Sequence, residues 1–477
     1  MKAFVQRWWH SPTLNTWASF ATRSLTFVIV LPLLLRKFSP EELTVWYLFA
    51  TLASLHMLAE SGFGSTFVRM IAYAMSGASD LQAAMAGRGG TQAHCNLALL
   101  GQIVGTMRTI YQRLTLLLAV LLGLGGTWAL VRPLAALPDP RAGWIGWVLV
   151  YANTLLVFQG NFFSTWLQGT NQIAVLRRWE TFTSLGSIFT SFLLLKVGAG
   201  LLPLVAATQM WATLGVARNA WLALQVLDGR LRTFRDTRYC PTVFGTVWPS
   251  AWRAGVGVLM SFGVTQSTGL VYAQMGRSRD VAAYLLALRL QQMIVAMSNA
   301  PFYSKLPLLS RWWAEGAHGR IVSDARRAKS LTLWALAFPL ISIGLLGPNL
   351  FKWIESQTPF PAPWIWWLLG IAALAERYGA IHLQLYSLSN HIIWHIANGI
   401  AGSIQILASI ALYPHHQVAA FPIAALCGGS FYLCYSVIKY QGLVPLEHRL
   451  AKTADIYPLI ALLTAWSVNW MLNITDI

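Results

Sequence analysis

The chain has 477 residues, of which 56% are hydrophobic and only 10% are charged. A soluble domain usually carries about 25% charged residues, so this composition excludes an ordinary soluble protein and predicts a polytopic membrane protein. The net charge of +18 does not indicate nucleic-acid binding, because the basic residues are dispersed in short loops between apolar segments.

Apolar segments long enough to cross a bilayer recur along the whole chain. A helix needs about 20 mostly apolar residues to span the hydrocarbon core. The sequence predicts twelve spans and a thirteenth candidate, near 14–35, 43–66, 106–131, 144–168, 179–199, 203–226, 251–274, 282–304, 330–351, 364–388, 392–413, 418–440 and 456–474. We therefore expect an all-α membrane protein.

Lys and Arg concentrate in alternate loops, which indicates how the chain is oriented. The loops on the side of the N-terminus carry most of them, above all 227–253 and 305–329. The loops on the other side are short and carry few. By the positive-inside rule, the N-terminus is expected in the cytoplasm. No small-residue cleavage site follows the basic N-terminal segment, so we interpret 14–35 as a retained helix rather than a signal peptide.

The first twelve spans form two sets of six with the same rhythm, because the second span of each set precedes a long basic loop. We predict an N-terminal six-helix lobe over 1–226, a cytoplasmic linker over 227–250, a C-terminal six-helix lobe over 251–440 and an extra helix within 441–477. Each half begins on the same side, so the repeats are expected to be parallel. Two six-helix halves with substrate held between them are a recurrent transporter architecture.

Some charged residues fall inside the predicted spans. They are Arg23, Arg113, Arg218, Arg289, Arg377, Glu60 and Glu376. A charge at the centre of an isolated helix costs at least about 2.5 kcal/mol on insertion scales, so such residues usually face a wet interior or a partner. For Arg113, Arg218 and Arg289 there is an alternative interpretation, in which the side chains extend to the membrane–water interface. Structural ion pairing is the alternative for Arg23 and Arg377.

Polar residues at helical spacing give several spans one hydrophilic face. These faces comprise Arg289, Gln292, Asn299 and Tyr303 in the eighth span, Ser261, Thr265, Thr268 and Tyr272 in the seventh, and His391, His395, Asn398, Gly402, Gln405 and Ser409 in the eleventh. We predict that the faces line a water-filled cavity, although Ser and Thr stripes also serve as packing contacts. The two histidines lack a nearby Glu or Cys, so no metal site is expected.

Arginines would make such a cavity electropositive. If Arg23, Arg289 and Arg377 face one chamber between the lobes, the chamber favours an anion such as a phosphate or pyrophosphate. Glu60 and Glu376 then become candidates for proton or Na⁺ binding that biases one orientation of the cavity. No G-x-x-x-x-G-K-[ST] motif and no nucleophile–base constellation occur, so neither ATP hydrolysis nor another enzymatic activity is expected, and no cofactor.

Two segments of the chain resemble Wzx-type polysaccharide flippases, which belong to the MATE-like multidrug/oligosaccharidyl-lipid/polysaccharide exporter superfamily. The first segment, 31–72, contains P-L-L-L-R at 32–36, E-E at 41–42, W-Y-L at 46–48 and E-S-G-F-G at 60–64. The second, 283–309, resembles the eighth span of these proteins, with an internal Arg and a closing Pro. Thr44 stands where Gly is common, Glu60 replaces the more usual Asp, and segment 456–474 exceeds the twelve-span plan.

The resemblance implies export of an undecaprenyl-pyrophosphate-linked oligosaccharide across the bacterial inner membrane, for lipopolysaccharide or exopolysaccharide synthesis. The sugar and pyrophosphate would cross through the cavity while the lipid tail stays in the bilayer, driven by proton or sodium antiport. Expected partners are this lipid-linked substrate, the coupling cation, a polysaccharide polymerase and a chain-length regulator, and no nucleic acid. The candidate substrate-binding residues are Arg23, Arg289, Arg377, Gln292 and Asn299, and the candidate ion-coupling residues are Glu60 and Glu376.

Three other functions are weighed against this one. A cation-coupled multidrug exporter of the same fold would favour an acidic cavity, whereas Arg outnumbers Glu inside the predicted spans. A membrane O-antigen polymerase or ligase would carry a large outside loop, and the outside loops here are short. A purely structural scaffold would have no use for costly intramembrane charge.

Overall fold

A computed structural model describes residues 12–60, 62–79, 81, 95–306, 308–309, 312, 318–389, 393–441 and 456–474. For residues 12–21, 23, 24, 27, 318, 389, 470 and 472–474 it describes the backbone alone. The chain divides into two compact units, Met1–Gly255 and Val256–Ile477. The regular elements within the described ranges are helices.

The described residues of the first unit form nine α-helices and the start of a tenth. They are α1 (Pro12–Lys37), α2 (Pro40–Ser54), α3 (His56–Glu60), α4 (Phe63–Met75), α5 (Leu97–Leu121), α6 (Thr127–Ala135), α7 (Pro140–Gly169), α8 (Ile173–Lys196), α9 (Leu201–Ala223) and α10 (Pro241–Val258). Helix α7 packs against α4, α5 and α9, and α8 packs against α1 and α9. These contacts place the middle of α7 in the interior of the unit.

The described part of the second unit contains eight further α-helices. They are α11 (Val264–Ala273), α12 (Ser278–Ser298), α13 (Ala300–Tyr303), α14 (His318–Trp353), α15 (Pro363–Tyr386), α16 (Trp394–His416), α17 (Ala420–Gln441) and α18 (Tyr457–Ile474). Helix α15 is central, because it packs against α12, α14, α17 and α18. Helix α16 packs on α17 and on the π-helical turn Leu259–Gly263, which joins α10 to α11. Such turns occur frequently at functional sites.

Seven helices within the described residues are long and apolar enough to cross a membrane. Here helices that follow one another almost without a break are taken together, which gives Pro40–Glu60, Leu97–Ala135, Pro140–Gly169, Pro241–Ala273, Ser278–Tyr303, Gly319–Trp353 and Trp394–Gln441. The predicted fold class, an all-α polytopic membrane protein, is confirmed. The number of spans and the lobe boundaries stay predictions.

The turn at Ser39–Glu42 caps the start of α2. The Ser39 backbone N–H donates to Glu42 Oε2 at 3.0 Å, and the Glu42 backbone N–H donates to Ser39 Oγ at 3.2 Å. This reciprocal capping box satisfies two backbone donors that a helix start otherwise leaves without partners. Pro40 at the first helical position suits its fixed φ angle. The sequence from Ser39 to Glu42 therefore determines where α2 begins.

The predicted span 43–66 is divided into α2, α3 and α4, and glycines shape the last break. Gly62 has a φ angle of +77°, in the left-handed region that favours glycine. A Cβ atom on Gly62 would lie 2.5 Å from the Ala254 Cβ atom, and a Cβ atom on Gly64 would lie 2.6 Å from Glu60 Oε1. The two glycines thus allow a tight break and leave room for the Glu60 carboxylate.

The segment between α9 and α10 is packed onto the first unit. Leu231 and Phe234 are buried, and the Arg108 guanidinium donates to the carbonyl oxygen of Phe234 at 3.3 Å. The Cys240 backbone N–H donates to Thr106 Oγ1 at 2.9 Å. The first half of the predicted linker therefore has fixed contacts with α5.

Candidate functional site

In the first unit, the Glu60 carboxylate lies at the end of α3 among neutral hydrogen-bond donors from two other helices. The Tyr111 hydroxyl of α5 donates to Glu60 Oε1 at 3.2 Å. The Asn161 side-chain amide of α7 donates to Glu60 Oε2 at 2.7 Å. Hydrogen bonds to an ionised carboxylate are stronger than those between neutral groups, so these two donors stabilise the charged form of Glu60.

The Tyr111 hydroxyl connects Glu60 to a longer polar row inside the unit. It lies 3.1 Å from Thr165 Oγ1, which is buried on α7. One turn further along α5, Thr115 Oγ1 donates to Gln159 Oε1 at 2.8 Å. The row gives the carboxylate neighbours that can both donate and accept, which is the arrangement needed to take up or release a proton.

In the second unit, a cavity of about 90 Å³ lies among the π-turn, α11, α12, α15, α16 and α17. At about 30 Å³ per water molecule, it has room for a few waters or one hydrated cation. Its polar lining includes Ser261, Thr265, Asn398, Gln405, Tyr432 and Glu376. Among the described lining residues Glu376 alone has a carboxylate, and its side chain remains accessible from the cavity although it lies deep in the helix bundle.

Two hydroxyl groups of this cavity present acceptors to it. Ser261 Oγ donates to the Gly257 carbonyl oxygen at 2.8 Å, and Thr265 Oγ1 donates to the Ser261 carbonyl oxygen at 3.0 Å. Because each hydroxyl hydrogen is used along its own helix, the oxygen lone pairs remain for an occupant. Together with the Glu376 carboxylate, these oxygens form a lining that suits a hard cation.

Next to Glu376 on α15, Arg377 contacts the segment between α12 and α13. The Arg377 Nη1 group donates a hydrogen bond to Asn299 Oδ1. The hydroxyl groups of Tyr303 and Tyr432 are close enough to interact electrostatically with the guanidinium. The structure thus brings together Arg377 and Asn299, two residues that the sequence predicts for substrate binding.

The other predicted substrate residues have separate surroundings. Gln292 donates from its side-chain amide to Gln266 Oε1 at 2.7 Å, and Gln266 is buried. Arg289 is half-buried on α12. Arg23 belongs to α1, and its side chain is outside the described residues, as is His391. A common chamber for Arg23, Arg289 and Arg377 therefore stays a prediction.

The two arginines that the sequence places near the inside ends of spans contact protein groups. Arg218 donates to Thr183 Oγ1 at 2.8 Å and to Asn219 Oδ1 at 2.7 Å. The Arg113 guanidinium lies 5.6 Å from the centre of the Tyr239 ring. Each guanidinium thus has a protein neighbour, and the extension of these side chains to the interface stays a prediction.

Lys329 is the last residue of the predicted basic loop 305–329, but the structure places it in α14 and buries its side chain completely. Its ammonium group lies 5.0 Å from the centre of the Tyr378 ring on α15, a cation–π contact that gains strength away from water. Lys329 directly precedes the predicted span 330–351, and nothing in the local sequence indicates that its side chain is buried. Within the described part of the chain, no group of three His, Cys, Asp or Glu side chains is arranged to hold a metal ion.

Comparison with known proteins identifies the fold. The inward-facing structure of a multidrug resistance MATE family transporter of the MOP superfamily superimposes with a TM-score of 0.67 at 12% identity, over 88% of this chain and 94% of that one. The lipid II flippase MurJ in its inward closed conformation superimposes with a TM-score of 0.61 at 12% identity, over 97% of this chain and 99% of that one. A MATE structure in the bent conformation superimposes with a TM-score of 0.56 at 12% identity, over 98% of both chains.

At this identity the likeness shows the fold alone. The chain therefore has the fold shared by MATE transporters and the MurJ flippase. A scan against protein-family models gives no match, and a search of curated proteins gives none either.

Proposed function

We propose that this chain is a secondary transporter that flips an undecaprenyl-pyrophosphate-linked oligosaccharide from the cytoplasmic to the periplasmic leaflet by alternating access, coupled to protons or Na⁺. The observation that carries the proposal is the juxtaposition of Glu376 and Arg377 on α15. Glu376 faces an acceptor-lined cavity, and Arg377 is held by Asn299. One helix thus presents a group suited to a cation beside a group suited to an anion.

Coupling follows from this adjacency. A proton or Na⁺ at Glu376 neutralises the charge next to Arg377 and changes how strongly the guanidinium attracts a pyrophosphate. By linkage, the substrate must change the affinity for the cation by the same factor. Glu60 is the second coupling candidate, because it is the carboxylate of the hydrogen-bonded row in the first unit.

The substrate chemistry follows from the arginines and amides. A guanidinium binds phosphate oxygens through two parallel hydrogen bonds, which makes Arg377 and Arg289 suitable for a pyrophosphate. The amides of Gln292 and Asn299 can donate to and accept from sugar hydroxyl groups. An amphiphile with a pyrophosphate and a glycan satisfies both sets of groups, and the resemblance of segment 31–72 to Wzx-type flippases favours the same substrate.

The test uses purified full-length protein in liposomes that contain a fluorescent polyprenyl-pyrophosphate oligosaccharide. The fraction of probe exposed on each leaflet is followed under an imposed pH or Na⁺ gradient. Glu376→Gln and Glu60→Gln should lose the dependence on the gradient, whereas Asp236→Asn, a control at an exposed carboxylate, should retain it. A wild-type rate that ignores both gradients overturns the coupling part of the proposal.

Multidrug export is the second candidate, because one solved structure of similar fold is a multidrug resistance transporter. The same liposomes can be loaded with a cationic dye in place of the lipid. Gradient-driven movement of the dye without flipping of the lipid probe favours this alternative. Flipping of the lipid without movement of the dye supports the flippase.

A further inference from the structure

Helix α8 has one exposed face that is apolar over most of its length. Its exposed residues between Trp179 and Leu193 are all apolar, namely Trp179, Phe182, Leu185, Phe189 and Leu193. Phe182, Leu185, Phe189 and Leu193 follow one another at intervals of three or four residues, so they form one stripe along the helix. At 1.5 Å per residue, the stripe from residue 179 to residue 193 is about 21 Å long, most of the thickness of the hydrocarbon core.

The guanidinium of Arg178 lies at the N-terminal end of this stripe. Arg178 precedes Phe182 by four residues, so it lies on the same face one turn closer to the start of the helix. Trp179 is exposed beside it, and Trp221 is exposed near the end of α9. Exposed tryptophans mark the level of the lipid headgroups in membrane proteins. The stripe therefore runs from the headgroup level towards the middle of the membrane.

The side of α8 that faces α9 adds positive charge at the same level. Arg177 forms an ion pair with Glu180 at 2.7 Å, and Arg218 of α9 donates to Thr183 at 2.8 Å. Arg218 and Glu180 also interact electrostatically. Among the described residues of this cluster, the guanidinium groups of Arg177, Arg178 and Arg218 outnumber the single carboxylate of Glu180, so these residues carry a net positive charge.

We propose that Arg178 and the stripe bind one anionic phospholipid, with the headgroup phosphate at the Arg178 guanidinium and an acyl chain along Phe182, Leu185 and Phe189. Guanidinium groups pair with phosphate oxygens through two hydrogen bonds. The surrounding positive charge selects a headgroup with net negative charge over a zwitterionic one. The site is in the leaflet on the side where α8 begins, which the basic loops place in the cytoplasm. It is independent of the transported substrate.

The test measures lipid retained by the purified full-length protein, by native mass spectrometry after controlled delipidation. The wild type should retain phosphatidylglycerol in preference to phosphatidylcholine. Arg178→Gln should weaken phosphatidylglycerol binding about fivefold, as expected for one arginine near an anionic lipid surface. Arg141→Gln, which removes an exposed arginine at the start of α7, is the matched control and should bind as the wild type does.

Two further measurements distinguish a lipid phosphate from a soluble phosphate and show whether a loss of binding comes from misfolding. Inorganic pyrophosphate, added as a soluble competitor, should not displace the lipid, since it has no chain to place along the stripe. Phe182→Gln, at an exposed position, should weaken retention while leaving every arginine in place. The proposal fails if phosphatidylcholine binds equally well, if pyrophosphate displaces the lipid, or if Arg178→Gln or Phe182→Gln retains phosphatidylglycerol like the wild type.

Discussion

Replacing Gly402 by Ala tests the close contact between α16 and the π-turn beside the cavity of the second unit. A Cβ atom at position 402 would lie 2.3 Å from the Met260 carbonyl oxygen and 2.9 Å from the Met260 Cβ atom. Real Cβ atoms do not come within 3.0 Å of other heavy atoms. A backbone carbonyl cannot rotate away as a flexible side chain can, so α16 and the turn must move apart.

The magnitude follows from two opposing contributions. Overpacking a close contact costs about 1–3 kcal/mol, while Ala in place of Gly within a helix recovers up to about 1 kcal/mol. We therefore expect Gly402→Ala to reduce the free energy of unfolding by up to about 2 kcal/mol. Gly399→Ala is the matched control on the same helix, because no atom lies within 4 Å of a Cβ at that position. It should raise the free energy of unfolding by about 0.4–1 kcal/mol.

The assay is reversible unfolding of the purified protein in mixed micelles by titration with sodium dodecyl sulfate, followed by tryptophan fluorescence. Both variants are compared with the wild type under the same conditions. Equal stability of the two variants would refute the contact between α16 and Met260. Because Met260 and Gly402 line the cavity that Glu376 faces, Gly402→Ala should also weaken gradient-dependent flipping, whereas Gly399→Ala should not.

Three further predictions concern other parts of the chain. Gly64→Ala would place a Cβ atom 2.6 Å from Glu60 Oε1, so the carboxylate should move away from its donors. The flipping rate in the liposome assay should then depend less on the ion gradient. An unchanged dependence would contradict the role of Glu60. Arg289→Ala should abolish surface polysaccharide in cells while the protein stays in the membrane, and Arg289→Lys should retain part of it; normal polysaccharide with Ala would remove Arg289 from the mechanism. The hydrogen bond between the Thr242 hydroxyl and the Cys240 thiol lowers the pKa of Cys240. A lower pKa means more thiolate near neutral pH, so Thr242→Val should slow maleimide labelling of Cys240, and an unchanged rate would count against this hydrogen bond.

Composition and periodicity were sufficient to predict the fold class. Long apolar segments predict membrane helices because the bilayer penalises unpaired backbone groups in any other open structure. The polar faces predicted for the seventh and eleventh spans also meet, since Ser261, Thr265, Asn398 and Gln405 line one cavity. Periodicity determines which residues share a face, and this part of the site could be read from the sequence.

Partners on other helices could not be predicted, because periodicity does not say which helices are neighbours. Tyr111 and Asn161 reach Glu60 from 51 and 101 residues away in the sequence, and nothing local marks them as its donors. The cavity that Glu376 faces lies within the second unit, and the chamber between the two lobes stays a prediction. The burial of Lys329 depends on Tyr378 of another helix.

The hydrogen bond from Arg218 to Thr183 has a consequence for the stability of α8 in the membrane. Helices α8 and α9 are not among the seven whose length and hydropathy qualify them to cross a membrane, and α8 begins with the charged residues Arg177, Arg178 and Glu180. A segment of this kind partitions poorly into lipid while it is alone. We therefore expect α8 to be more stable in the membrane beside α9 than alone, because Arg218 can donate to Thr183 only when the two helices are together.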